Sequence, residues 1–124
     1  MKLRHIAIEV PDAEKAAKFF ETAFGMKRMR QGGRGIHMAD GVMNVALLQI
    51  RKPGDPVGIA HFGMCVDDYA EAEKQVTAAG AVCVQGPPAE NHGFYEAKFK
   101  DPDGVVFDLT HSGWPGAAKD VTAA

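Results

Sequence analysis

Laid over itself so that His5 meets His61, the sequence matches again at Val10 with Val66, Asp12 with Asp68, Ala16 with Ala72, Lys18 with Lys74 and Ala23 with Ala79. Similar residues lie between, such as Ile8 with Met64 and Phe20 with Val76. An internal repeat constrains a fold more than any local propensity, because two copies of one unit must share a core. Here the order of elements repeats as well. Leu3 to Val10 is rich in β-formers, Asp12 follows as a helix N-cap, and Ala13, Ala16, Ala17, Phe20 and Phe24 recur at helical spacing up to Gly25. Met26 to Arg30, Ile36 to Ala39 and Met43 to Ile50 read as three more strands, with a turn at 31–35 and a hairpin signal at Asp40-Gly41. In the second copy Ile59 to Val66 is a strand. Asp67-Asp68 caps a helix whose apolar face is Tyr69, Ala72, Val76 and Ala79, and Gly80 ends it. Ala81 to Gln85, Phe94 to Lys100 and Val105 to His111 complete the pattern.

These boundaries predict one domain over residues 1–124, with repeat one at 1–50, a Pro/Gly-rich linker at 51–57, repeat two at 58–111 and a tail at 112–124 expected to be partly mobile. Hydrophobic residues at 46% and charged residues at 24% describe a chain able to build a core. The net charge of -2 leaves no basic excess for a phosphate backbone, so nucleic acid is not an expected partner. No apolar run approaches the ~20 residues of a membrane helix, and Met1-Lys2-Leu3-Arg4-His5 does not look like a signal peptide. Two cysteines are too few for a disulfide scaffold, so the expectation is a reduced, cytoplasmic protein with Cys65 and Cys83 as buried small hydrophobes.

Strand alternation sorts the side chains further. In the first strand Ile6, Ile8 and Val10 share a bulky face suited to a helix, and His5, Ala7 and Glu9 share the other. In its repeat-two counterpart Phe62, Met64 and Val66 oppose His61, Gly63 and Cys65. In the last strand Val105, Phe107 and Leu109 oppose Val106, Asp108 and Thr110. Asp108 is thus a carboxylate inside an apolar run, costly to bury unless paired or bound to a metal. A lone strand histidine is ordinarily a structural residue; the same histidine at equivalent positions of two repeats is a stronger signal. His5, His61 and Asp108 are the candidate metal ligands, on an open face whose small neighbours leave room for something other than protein. Other residues carry weaker signals. The 32–35 glycines precede no helix and read as a turn rather than a phosphate loop. His37 and His92 read as surface or turn residues, and Trp114 as an anchor for the tail. The six methionines read as core or turn fillers. Tyr95, Glu9 and His111 are candidate catalytic groups by sequence proximity alone, and Lys98 is a possible substrate-facing residue.

The paired βαβββ plan, the histidine on the first strand of each half, and Asp101-Pro102-Asp103-Gly104 leading into a strand with a carboxylate four residues past the glycine resemble the vicinal oxygen chelate superfamily over residues 3–111. That group includes glyoxalase I, methylmalonyl-CoA epimerase, fosfomycin-resistance proteins, extradiol dioxygenases and bleomycin-resistance proteins. The resemblance implies an α+β fold in which two βαβββ repeats form a curved eight-stranded mixed sheet with helices on the outer face. It implies a divalent metal (Fe, Mn, Zn, Ni or Co) held by His5, His61 and Asp108 in a U-shaped cavity, a small oxygen-chelating substrate, and a homodimer. Three departures stand out. Asp108 replaces the usual glutamate. Residues 42–50 hold no carboxylate or histidine where glyoxalase I has an acidic ligand, and Gln49 is usable as an epimerase-like glutamine only if it points inward. Lys98 stands near where a ring-cleaving dioxygenase has tyrosine. The expectation is a metal-dependent enzyme of lyase or isomerase type. An extradiol-type Fe(II) dioxygenase and a metal-free small-molecule binding or antibiotic-sequestering protein are the alternatives.

Overall fold

Aspartates start both helices. Asp12 and Asp68 are extended, and each side chain accepts a hydrogen bond from the backbone N–H three residues on, at Lys15 and Glu71, 3.1 Å in both cases. The computed structural model of the chain describes residues 1–32, 34–90 and 93–121, with the side chains of 30–32 outside that description. The elements in chain order are β1 (Lys2–Val10), α1 (Ala13–Phe24), β2 (Lys27–Gly32), β3 (Gly35–Ala39), β4 (Asn44–Gln49), β5 (Gly58–Cys65), α2 (Tyr69–Ala78), β6 (Val82–Gln85), β7 (Ala97–Lys100) and β8 (Val106–Thr110). Gly25 closes α1 in the left-handed region at φ 66°, a conformation that suits glycine.

The eight strands form one mixed sheet in the order β2-β3-β4-β1-β5-β8-β7-β6. The two copies join edge to edge through antiparallel pairing of β1 with β5, so the equivalent first strands lie side by side. Within each copy the first strand pairs in parallel with the last, β1 with β4 and β5 with β8. The helices pack on one face. Ala13, Ala17, Ile36, Met38 and Leu47 form the core under α1, with Ile8 and Val10 against it. Val66, Ala72, Ala97, Phe99, Phe107 and Leu109 form the core under α2, with Phe62 and Met64 against it. The expected bulky faces of β1, β5 and β8 are therefore the helix-facing ones. Val105, expected with them, is exposed, because β8 begins one residue later and Val105 still belongs to the turn held by Asp101, whose Oδ1 accepts from the N–H groups of Asp103 and Val105.

Two other expectations fail for identifiable reasons. Cys83 is exposed, not buried, because β6 is the sheet's edge strand and all four of its residues are exposed. His37 is not a surface or turn residue; it lies in the middle of β3, opposite Ala46, half buried on the face away from the helices. His92, assigned with it, lies outside the described residues, as do Gly33 and residues 122–124.

Trp114 anchors the tail, as its sequence position suggests. Residues 113–121 lie across the face of the sheet opposite the helices. Trp114 is 3% exposed and Val121 is buried with it against Cys65. Ala118 N–H donates to Val42 O, and Arg4 donates to Ala118 O and pairs with Asp120 at 2.9 Å. The room beside the histidines is thus filled by protein. A Cβ on Gly63 would stand 2.6 Å from the Trp114 ring and 3.0 Å from His5 Cβ. Gly63→Ala is accordingly expected to cost about 1–3 kcal/mol through overpacking, read as a lower urea midpoint; an unchanged midpoint would mean the indole does not rest there in solution.

Candidate metal centre

Strand register sets a row of side chains across five strands. Asn44 of β4 pairs with His5 of β1, His5 with Gly63 of β5, Gly63 with Asp108 of β8, and Asp108 with Lys98 of β7. Residues directly opposite on neighbouring strands share a face, so the row is a line of polar groups with one gap, at Gly63. His61, two residues before Gly63, shares that face. The result brings ligand atoms of His5, His61 and Asp108 within 4.8 Å of one another. All three candidates derived from the sequence thus meet at one point, although they come from the start, middle and end of the chain.

The polar contacts fix the state of His5. Asn44 Nδ2 donates to Pro115 O at 2.9 Å, and a carbonyl only accepts, so Asn44 Oδ1 is the atom turned to His5 Nδ1 at 2.8 Å. His5 Nδ1 therefore carries the proton, and Nε2 presents a bare lone pair toward Asp108 Oδ2, 3.7 Å away. An imidazole fixed through its other nitrogen is the arrangement metal-binding histidines use. Burial pushes the His5 pKa down to about 4, outweighing the favourable pull of Asn44 and Asp108, so the ring is neutral near pH 7.

Asp108 is fully buried. Its Oδ1 accepts from Lys98 Nζ at 2.7 Å. Its Oδ2 has no hydrogen-bond partner; His61 Nε2 lies 3.0 Å away but without the alignment of a hydrogen bond. Burial pushes the carboxyl up, yet the His61 ring and the Lys98 ammonium together hold it below the usual range. An orphaned carboxylate oxygen facing two imidazole nitrogens fits a divalent cation. Ligands bound at about 2.1 Å to one ion stand roughly 3–3.5 Å apart, close to the 3.0 and 3.7 Å observed. Two nitrogens and one oxygen are a donor set for first-row transition metals rather than calcium or magnesium.

Two neighbours of this cluster were not singled out as candidates. Glu96, one residue before β7, brings Oε2 to 3.7 Å from His5 Nε2 and accepts from Trp114 Nε1 at 2.7 Å. Burial and then the charge of Asp108 push its carboxyl above the usual range. Its alternation with Lys98 was the available signal. Trp114 stacks on His5 with ring centroids 4.7 Å apart and planes 3° from parallel. A cavity of about 430 Å³ lined by Phe94, Lys119 and residues 112–117 flanks the indole.

The three candidate catalytic groups lie elsewhere. Tyr95 Oη and His111 Nδ1 pair with each other at 2.6 Å, and Tyr95 sits edge-on to Tyr69 of α2, on the helix side. Glu9 is clamped by Arg34 through two bonds of 2.8 and 2.9 Å, which hold its carboxyl below the usual range. Gln49 points away from the cluster: its Oε1 accepts from Ala13 N–H and its Nε2 donates to Pro11 O, so it anchors the start of α1.

His5 also makes stability depend on pH. In protein stripped of metal ions, the unfolded chain protonates His5 near 6.5 whereas the folded chain resists until about 4. Between these values the unfolded state binds more protons, so stability falls as pH drops through that window and is fully present above it. The expected loss from pH 7 to pH 4 is about 3 kcal/mol from this residue, checked by urea unfolding at stepped pH. His5→Gln, which cannot titrate, should flatten the profile.

Comparison with known proteins agrees with the architecture. A family profile described as Glyoxalase/Bleomycin resistance protein/Dioxygenase superfamily matches residues 2–109. A probable chloroplastic lactoylglutathione lyase of Arabidopsis thaliana is 27% identical over 126 residues, covering 90% of this chain and 36% of that protein. A second lactoylglutathione lyase of the same plant is 25% identical, covering 88% of this chain and 44% of its own length. The chain thus spans less than half the length of these curated relatives. Among solved structures, a Streptomyces coelicolor methylmalonyl-CoA epimerase variant in complex with 2-nitronate-propionyl-CoA superposes with a TM-score of 0.75 at 15% identity, covering 91% of this chain and 99% of that one. The Mn(II)-bound glyoxalase of Novosphingobium aromaticivorans gives 0.71 at 21% identity, covering 98% and 42%. These likenesses establish the fold.

Proposed function

The chain belongs to the Glyoxalase/Bleomycin resistance protein/Dioxygenase superfamily, and from that premise we propose that it is a divalent-metal-dependent enzyme of lyase or isomerase type acting on a small molecule with two adjacent oxygens. The observation that carries this reading is the orphaned Asp108 Oδ2 facing His5 and His61. A bound cation would supply Lewis-acid polarisation of a chelated substrate oxygen. His5 Nε2, His61 Nε2 and Asp108 Oδ2 would hold it. Asn44 keeps His5 in the right tautomer, Lys98 keeps Asp108 ionised and oriented, and Trp114 keeps bulk water off the His5 ring. The names of the plant relatives and of the Mn(II)-bound glyoxalase support the lyase reading and suggest a thioester-forming isomerisation as the first reaction to try.

The test is metal content and turnover together. Protein purified without chelator should carry about one equivalent of a transition metal, lose activity toward the hemithioacetal precursor of lactoylglutathione on chelation, and regain it with Mn, Co, Ni or Zn. A metalloprotein inactive on hemithioacetals but, after anaerobic loading with Fe(II), active on catechols once O₂ is admitted would instead indicate the dioxygenase alternative. One observation favours a metal-free binding protein: Lys98 already neutralises Asp108. Protein with no metal and no uptake would establish that reading. A homodimer belongs to the same proposal, supported by the exposed Phe24 and Ile59 side chains, and is checked by light scattering. Among the described residues no helix is long and apolar enough to cross a membrane.

A further inference from the structure

We propose that Glu96 is a fourth metal ligand, delivered from the segment before β7 in place of any donor from β4. The inference rests on the metal-dependent reading above and concerns which side of the sheet completes the site. On the β4 side nothing is free to ligate. Asn44 spends Oδ1 on His5 and Nδ2 on Pro115 O, and the next inward residue is Ala46. On the β7 side Glu96 Oε2 stands 3.7 Å from His5 Nε2, the same separation as Asp108 Oδ2. The two carboxylates thus flank the one bare nitrogen of His5 from β7 and β8.

Charge points the same way. Two carboxyl groups face this space, and the Lys98 ammonium is bonded to one of them, through Asp108 Oδ1. The two carboxyl groups crowd one largely buried space, and burial with the charge of Asp108 pushes the Glu96 carboxyl above its usual range, a strain that a cation between them would relieve. Glu96 also accepts from the indole N–H of Trp114, a neutral donor. That donor holds the carboxylate at the cluster without neutralising it, which makes Trp114 a positioning residue for Glu96. Asp108 Oδ2 is the independent sign that an ion belongs here, since it is fully buried and lacks a hydrogen bond.

The experiment uses Co(II) as the probe, read by its visible absorption and by dissociation constant, on full-length wild-type, Glu96→Gln, Glu96→Asp and His61→Ala proteins. Glu96→Gln is expected to weaken Co(II) binding about 10–100-fold, the range found when groups around a metal are removed. Its visible band should change in intensity, with partial recovery in Glu96→Asp. A wild-type readout covers the case in which the variants do not fold: in protein labelled with ¹³C at glutamate carboxyls, Zn(II) should move one glutamate resonance strongly. Wild-type Co(II) affinity and spectrum in Glu96→Gln, with binding lost in His61→Ala, would overturn the role of Glu96 and leave the metal reading standing. So would a Zn(II) titration that moves no glutamate signal. A wild-type protein that takes up no Co(II) would overturn both.

Discussion

His61→Ala is expected to weaken Mn(II) or Co(II) binding by at least about 100-fold, at or beyond the upper end of what loss of a supporting neighbour costs, while leaving the fold intact. His61 is the cleanest of the three candidate ligands to remove. Its side chain is 15% exposed, so truncation leaves no sealed cavity, and Asp108 keeps its 2.7 Å bond to Lys98. Removing Asp108 would strand the Lys98 ammonium, and removing His5 would take away the ring that stacks on Trp114 and the 2.8 Å partner of Asn44 Oδ1. Isothermal titration with each metal, beside a urea melt, separates the two effects. Retained metal affinity in the variant would show that the three atoms converge for a reason other than an ion.

Trp114→Ala is expected to produce the largest change in stability, about 3–5 kcal/mol, as for other large aromatic truncations in well-packed sites. The ring is 3% exposed, stacks on His5, fills the space over Gly63 and donates to Glu96. Deleting it removes the packing and leaves the Glu96 carboxylate without its donor. The same substitution should speed metal uptake, because the indole lies against His5. Urea unfolding and stopped-flow uptake measure the two consequences on one protein. A loss below about 1 kcal/mol, the scale of an ordinary surface change, would show that the tail does not dock in solution.

Local rules made the candidate ligands legible. Alternation along β1, β5 and β8 separates helix-facing from inward residues, and the repeat identifies His5 with His61. The apolar flanks of Asp108 mark it as buried. What alternation alone does not reveal is which strand becomes a neighbour across the gap. The β1–β5 pairing of the two copies decides that His5 faces Gly63 and that Gly63 leads on to Asp108. Glu96 had the right parity with Lys98, but its partner is an indole eighteen residues downstream on a tail with no periodic pattern. Gly63 looked like space for a foreign molecule because a missing side chain reads the same whether a ligand or a distant segment fills it. Cys83 looked buried because a strand's own composition does not say that it will lie at the edge of the sheet, beyond the cover of α2.

The chain's only tryptophan therefore holds the ground above His5 by a covalent tether. A ligand whose own groups need that ground must first displace a group that never diffuses away, so its measured dissociation constant contains the cost of that displacement. If the indole is displaced in one molecule per thousand, a ligand binds about a thousandfold more weakly than its own fit would allow. Affinity in such a protein can rise without a single new contact to the ligand, simply by loosening the grip of nine residues on the sheet beneath them.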